Sequence, residues 1–193
     1  MRLALALSLI ATGAVAQDCP TAADLENGIR LTRNEPFFSI LQTATPEGLT
    51  EARIMDRGAG PEAVSSVYAH PLTVVRRISA GGVLELAYAD DTAELNSLPG
   101  PRQWHTEVTL LSDGQEINRG TYAVRLSGLG DATIGDCSYT VWRINEVMTL
   151  DGMAPLAFEK SYAPDLGLVL SSIRLDPEGT PVGGVFFDEI TAE

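Results

Sequence analysis

Catalysis and metal binding need side chains of particular types at particular spacings, and this chain offers few of them. It holds two cysteines, two histidines and one lysine, Lys160. Cys19 and Cys137 are far apart, so there is no CxxC redox pair. A zinc site takes three or four protein ligands, and neither His70 nor His105 is spaced with the cysteines in such a pattern. Two readings of the cysteines remain: a structural disulfide, or two unpaired residues acting as small hydrophobes. A nucleophilic hydrolase would show a serine or cysteine at a tight turn with a histidine base elsewhere. No GxSxG occurs; Ser127 in "RLSGLG" lacks the preceding glycine. His105 falls on the polar side of an alternating run and His70 precedes Pro71, so both read as surface residues. Asp90, Asp91 and Asp113 sit in turn chemistry. No DxDxDG run suggests calcium, and "GTPVGG" lacks the Lys-Ser/Thr of a phosphate loop. A glycosidase-type pair of distant carboxylates is not legible in a sequence. No metal site and no cofactor are expected.

One stretch places a cation among rings. If "FEKSYAP" is a strand, Phe158, Lys160 and Tyr162 share a face by the two-residue period. In one reading the lysine stem lies along exposed rings with its ammonium in water. In the other, these residues rim a concave apolar face and Lys160 meets the carboxylate of an acyl ligand as a point charge. Together with Trp104 and Trp142 they form the candidate ligand-lining set.

The elements that must position these residues are strands. Turn chemistry punctuates the chain at "TPEG" 45–48, "DRGAG" 56–60, "AGG" 80–82, "LPGP" 98–101, "SDGQ" 112–115, "LDGM" 150–153, "APDLG" 163–167 and "DPEG" 176–179. Such spacing between β-branched runs marks an all-β domain built from hairpins. Alternation puts Leu84, Leu86 and Tyr88 on one face, then Trp104, Val108 and Leu110, then Tyr122, Val124 and Leu126. Asp113-Gly114 matches a type I′ hairpin turn, in which both central residues take positive φ. Residues 138–150 are too long and apolar for a clean period of two, which predicts a bulge or a strand buried on both faces. "GPEAVSSVYAHP" reads as strand, and "LGLVLSSIRLD" and "GGVFFDEI" as the closing strands. Helix is confined to "PTAADLENG", with Thr21 as N-cap, Asp24 in the capping-box position and Gly28 as stop.

Residues 1–16, "MRLALALSLIATGAVA", combine one positive charge, a short apolar stretch and an Ala-x-Ala site. They read as a secretory leader cleaved before Gln17, leaving 17–193 as a single antiparallel β domain. No later segment approaches the roughly 20 apolar residues of a membrane-spanning helix. Export to the periplasm or beyond permits a disulfide to persist, which favours that reading of Cys19 and Cys137. The formal net charge is -13, with twelve arginines beside the one lysine. An acidic surface repels phosphate backbones, so nucleic acid is not an expected partner.

The segment "FEKSYAPDLGLVLSSIRLD", 158–176, resembles the closing part of small periplasmic β-proteins likened to lipoprotein-carrier and LolB-like half barrels, with Tyr162, Pro164, Gly167 and Leu168 at corresponding places. That resemblance implies a concave apolar sheet that binds an acyl chain or an envelope partner. The expected fold is therefore mainly β, a strongly curved antiparallel sheet, half barrel or sandwich with a short N-terminal helix. Three functions compete: a binding module for a hydrophobic small molecule or an envelope protein, a structural envelope protein without ligand, and a secreted hydrolase using dispersed carboxylates.

Overall fold

The turn segments that lie wholly within the described residues each separate two elements, and all strands but the last pair in the order in which the chain makes them. In the computed structural model, residues 18–56 and 60–193 are described; the predicted leader and its cleavage site after Ala16, and the middle of the predicted turn "DRGAG", lie outside them. The strands are β1 (Ile29–Arg33), β2 (Phe38–Thr45), β3 (Gly48–Asp56), β4 (Pro61–His70), β5 (Thr73–Ser79), β6 (Gly82–Tyr88) and β7 (Gln103–Ser112). They continue as β8 (Gln115–Ile134), β9 (Cys137–Leu150), β10 (Leu156–Ala163), β11 (Leu168–Leu175), β12 (Pro181–Val185) and β13 (Glu189–Ala192). All lie in one antiparallel sheet of 13 strands, β12 at one edge, the others following in reverse chain order to β1, and β13 beyond it.

That order curves the sheet. The edge strands β12 and β13 are consecutive in sequence and only residues 186–188 separate them. At roughly 3.3–3.6 Å per residue, so short a link requires the two ends of the sheet to approach each other. Contacts hold them there: the Asn34 backbone N–H donates to the Asp188 carboxylate at 2.7 Å, and the Asp188 N–H to Thr32 O at 2.8 Å. Twelve antiparallel steps separate β12 from β13, so the two run in the same direction. The C-terminal segment acts as one interrupted strand, pairing first with β11 and then with β1. Its two parts do not pair with each other, and the sheet is strongly curved but not closed.

Local chemistry agrees with the predicted elements. Asp113 and Gly114 take φ of 48° and 79° and join β7 to β8 as the two-residue turn demands. The N-terminal helix is a 3-10 turn, Ala22–Glu26, in which the Asp24 carboxylate accepts from the Thr21 N–H at 2.7 Å and hydroxyl at 2.9 Å. Those bonds hold the Asp24 carboxyl below the usual carboxylate range. Gly28 ends the turn at φ 119°. A second 3-10 turn, Thr92–Ser97, was not anticipated; Asp91 caps it by accepting from the Ala93 N–H at 2.9 Å.

Residues 138–150 combine both predicted features. A bulge lies opposite them on β8, between Leu126 and Gly128. On β9, Cys137 and Val141 belong to one face and Ile144, Glu146 and Leu150 to the other, and all five are buried. The first face joins a cluster with Ile29, Leu31, Ile40, Leu168, Leu170 and Ile190. The second joins a cluster with Leu72, Leu95, Leu98, Trp104, Val124 and Tyr162. Each fully buried aliphatic side chain contributes about 1.5–3 kcal/mol. Leu95 and Leu98, both at 0% exposure, show that the second 3-10 turn closes the second cluster. Cys19 and Cys137 are bonded, with Cα atoms 5.5 Å apart, so the turn ahead of β1 is tied to the start of β9.

Candidate functional site

Residues directly opposite one another in an antiparallel ladder share a face, so the register gives each side chain's company. Trp104 faces Val124, Val124 faces Glu146 and Glu146 faces Phe158, one row across β7 to β10. Lys160 and Tyr162 follow on the same face of β10, and Tyr162 stands opposite Trp142. All five predicted ligand-lining residues therefore lie on a single face of the sheet. Their rings pack together: Trp142 and Tyr162 meet edge to face at 5.5 Å, while Trp104 lies 6.2 Å from Tyr88 and 6.4 Å from Tyr122. The Trp104 indole donates to Glu94 at 3.2 Å. Burial pushes the Tyr162 hydroxyl up to about 12, with Asp165 adding to it.

Lys160 is committed within the protein. Its ammonium lies 5.9 Å from the Phe158 ring centre and forms an ion pair with Glu146, the two side chains 16% and 8% exposed. Glu146 stands beside Tyr122 and Tyr88, whose hydroxyls donate to Leu72 O at 2.7 Å and Val74 O at 3.0 Å. Burial, reinforced by the Glu146 charge, raises both phenol pKa values.

The other half of the same face carries a polar row that the sequence reading missed. Gln42 faces Glu51, Glu51 faces Ser66, Ser66 faces Arg77 and Arg77 faces Leu84, across β2 to β6. The Glu51 carboxylate is fully engaged: Arg53 donates two bonds to one oxygen at 2.7 and 3.1 Å, and Gln42 Nε2 at 3.1 Å and the Tyr68 hydroxyl at 3.2 Å reach the other. Burial first, then the Glu51 charge, drives the Tyr68 pKa upward, against the pull of Arg53 and Arg77. Arg77 forms no ion pair and no side-chain hydrogen bond among the described residues. Its Nε is buried without a partner, as are Ser66 Oγ and Gln42 Oε1. An unsatisfied buried polar group costs about 1–3 kcal/mol, and native interiors hold few of them; here three fall on one row. A signal for the row existed: Leu49, Glu51, Arg53 and Met55 share one parity, so the two charges alternate in phase with core residues.

His70 corrects a sequence expectation. It is 5% exposed rather than a surface residue, because β4 and β5 turn back through Pro71 and Leu72 over the second cluster. Its ring lies 5.5 Å from that of Tyr162 with the planes tilted by 58°, and Nδ1 accepts from the Leu72 N–H at 3.2 Å. Burial lowers its pKa from 6.5 to about 4, with the Asn96 side chain opposing weakly. Neutral His70 thus contributes stability that is fully present above pH 6.5 and is lost as pH falls toward 4. The linkage is worth about 3 kcal/mol. Denaturant midpoints between pH 7 and 4.5 should fall more steeply for the wild type than for His70→Gln; parallel curves would remove His70 from the acid response. His105 is exposed, as predicted.

Two shallow surface grooves, of about 350 and 390 Å³, adjoin Trp104 and His105. Of the five predicted residues only Trp104 lines them. The described residues contain no group of three or more His, Cys, Asp or Glu side chains suited to a metal ion, and no helix among them is long and apolar enough to cross a membrane.

The chain matches no protein-family profile and no curated protein. Among solved structures it is similar to the hypothetical lipoprotein YmcC from Escherichia coli, at 10% identity and a TM-score of 0.44, over 80% of this chain and 81% of that one.

Proposed function

We propose that this is an exported, non-catalytic binding protein that holds a small ligand on the inner face of its curved sheet. The observation that carries the reading is the row from Gln42 to Arg77: charged and polar groups turned inward, three of their atoms buried without a protein partner. A scaffold with only structural work would gain stability from apolar residues there. The two buried carboxylates among the described residues, Glu51 and Glu146, are committed to cations, which supports binding over hydrolysis. The disulfide supports an oxidising compartment such as the periplasm. The half-barrel carriers that residues 158–176 resemble use a concave sheet face in the same manner.

A specific observation favours a second reading, in which a protein partner covers the outer face. Ile54 and Ile78 are 45% and 42% exposed there, and their ladder neighbours Ala63 and Ser65 are exposed and uncharged. Native mass spectrometry on protein exported and purified without detergent separates the two. A co-purifying small molecule, lost on mild unfolding, is expected; a spectrum of bare protein that also takes up no ligand in titration moves the partner reading to the front.

A further inference from the structure

We infer that Arg77 and Ser66 form a receptor for an oxyanion, a carboxylate or phosphate group carried on an apolar body, at the point where the inner face opens to solvent; this rests on the binding function proposed above. Among the inward cations, Arg53 is bound by Glu51, Lys160 by Glu146, and Arg33 lies against the Phe38 ring and donates to Pro36 O and Gly184 O. Arg77 has no carboxylate within ion-pair distance among the described residues, although its Nε is buried. A guanidinium presents a planar fork of donors matched to two oxygens of a carboxylate or phosphate. Ser66, directly opposite on β4 and 2% exposed, adds a hydroxyl that has no protein partner. Glu51 does not serve as internal counter-ion, because Arg53, Gln42 and Tyr68 occupy its oxygens.

The neighbouring residues indicate how such a ligand would lie. Leu84, opposite Arg77 on β6, points to the same face yet is 46% exposed. An inward-facing leucine in water marks the open end of the face. From there Leu86 and its ladder partner Leu110 lead toward the second apolar cluster, each only partly buried. An anionic head on Arg77 with an apolar body along Leu84, Leu86 and Leu110 would neutralise an inward cation that has neither a carboxylate nor a side-chain hydrogen bond among the described residues, and cover that surface.

The test is titration calorimetry of the intact disulfide-bonded protein with four probes: decanoate, dodecyl phosphate, decanol and inorganic phosphate. Decanoate and dodecyl phosphate are expected to bind, decanol at least tenfold more weakly. Arg77→Gln should weaken the two anionic amphiphiles at least tenfold without loss of stability, since it removes an uncompensated charge, while Arg77→Lys retains part of the affinity and Ser66→Ala loses a smaller share. Inorganic phosphate binding as tightly as dodecyl phosphate would keep the oxyanion site but overturn the apolar body. Equal binding of decanol and decanoate, unchanged by Arg77→Gln, overturns the oxyanion receptor and leaves inner-face binding intact. No binding of any probe, with no co-purifying ligand, overturns both.

Discussion

Replacing Lys160 with methionine is expected to destabilise the protein by about 3–5 kcal/mol, the usual cost of removing one partner from a buried ion pair. The variant keeps the stem that packs near Phe158 and removes only the charge, so the loss measures the Glu146 carboxylate left among Tyr88, Tyr122 and Val124 without its cation. The double variant Lys160→Met/Glu146→Leu should recover most of the loss or exceed the wild type, because an apolar pair of similar volume avoids desolvating two charges. Urea unfolding of the four members of the cycle supplies the coupling energy. If Lys160→Met costs less than about 1 kcal/mol, the pair behaves as a screened surface bridge and its low exposure has been misread. The cycle also bears on binding: the double variant should retain decanoate if Arg77 receives the head group, and lose it if Lys160 does.

The architecture was legible where local chemistry and hydrophobic period point the same way. "SDGQ" specified both the turn and the pairing of β7 with β8, because positive φ at Asp113 and Gly114 admits few other connections. "PTAADLENG" carried its own cap and stop. Two things were hidden. The turn at Thr92–Ser97 is too short for a helical period to accumulate; its only trace is Asp91 as cap with Leu95 and Leu98 three residues apart, the spacing that a 3-10 turn stacks on one side. The return of β13 to β1 is a long-range pairing, and nothing in "EITA" names its partner.

The site was legible in half. The aromatic strand 158–162 and the two tryptophans were found because rings and a lone lysine stand out, and the register places them on one face. The Gln42 to Arg77 row was missed for a physical reason. A reading by hydrophobic alternation assigns charged positions to solvent, and in "TEARIMD" Glu51 and Arg53, and in "VVRRIS" Arg77, turn inward. Glu51, Arg53 and Arg77 become visible only when parity with Leu49, Met55 and Val64 is enforced over residue type.

The disulfide is expected to be the largest single covalent contribution to stability. Cys19→Ser/Cys137→Ser should lower it by about 5 kcal/mol in the chain-entropy account of a loop this long, the two residues being 118 apart in sequence. For a chain of this size that corresponds to a fall in Tm of about 13 °C. The loss should not spread evenly. The bond anchors the turn that seats Leu25 in the first cluster, and the Tyr139 hydroxyl donating to Pro20 O at 3.1 Å secures the same junction. Directly after that turn, β1 carries β13, with the Glu193 N–H donating to Gly28 O at 2.9 Å and Arg30 paired with Glu193 at 2.6 Å. Release of the N-terminus should therefore loosen the β1–β13 seam first. Hydrogen exchange on the serine variant should rise in residues 29–33 and 189–192 while β7 to β9 stay protected. Uniform exchange across the sheet would show that the bond acts on the unfolded chain alone, and unchanged stability would reduce the cysteines to two small hydrophobes.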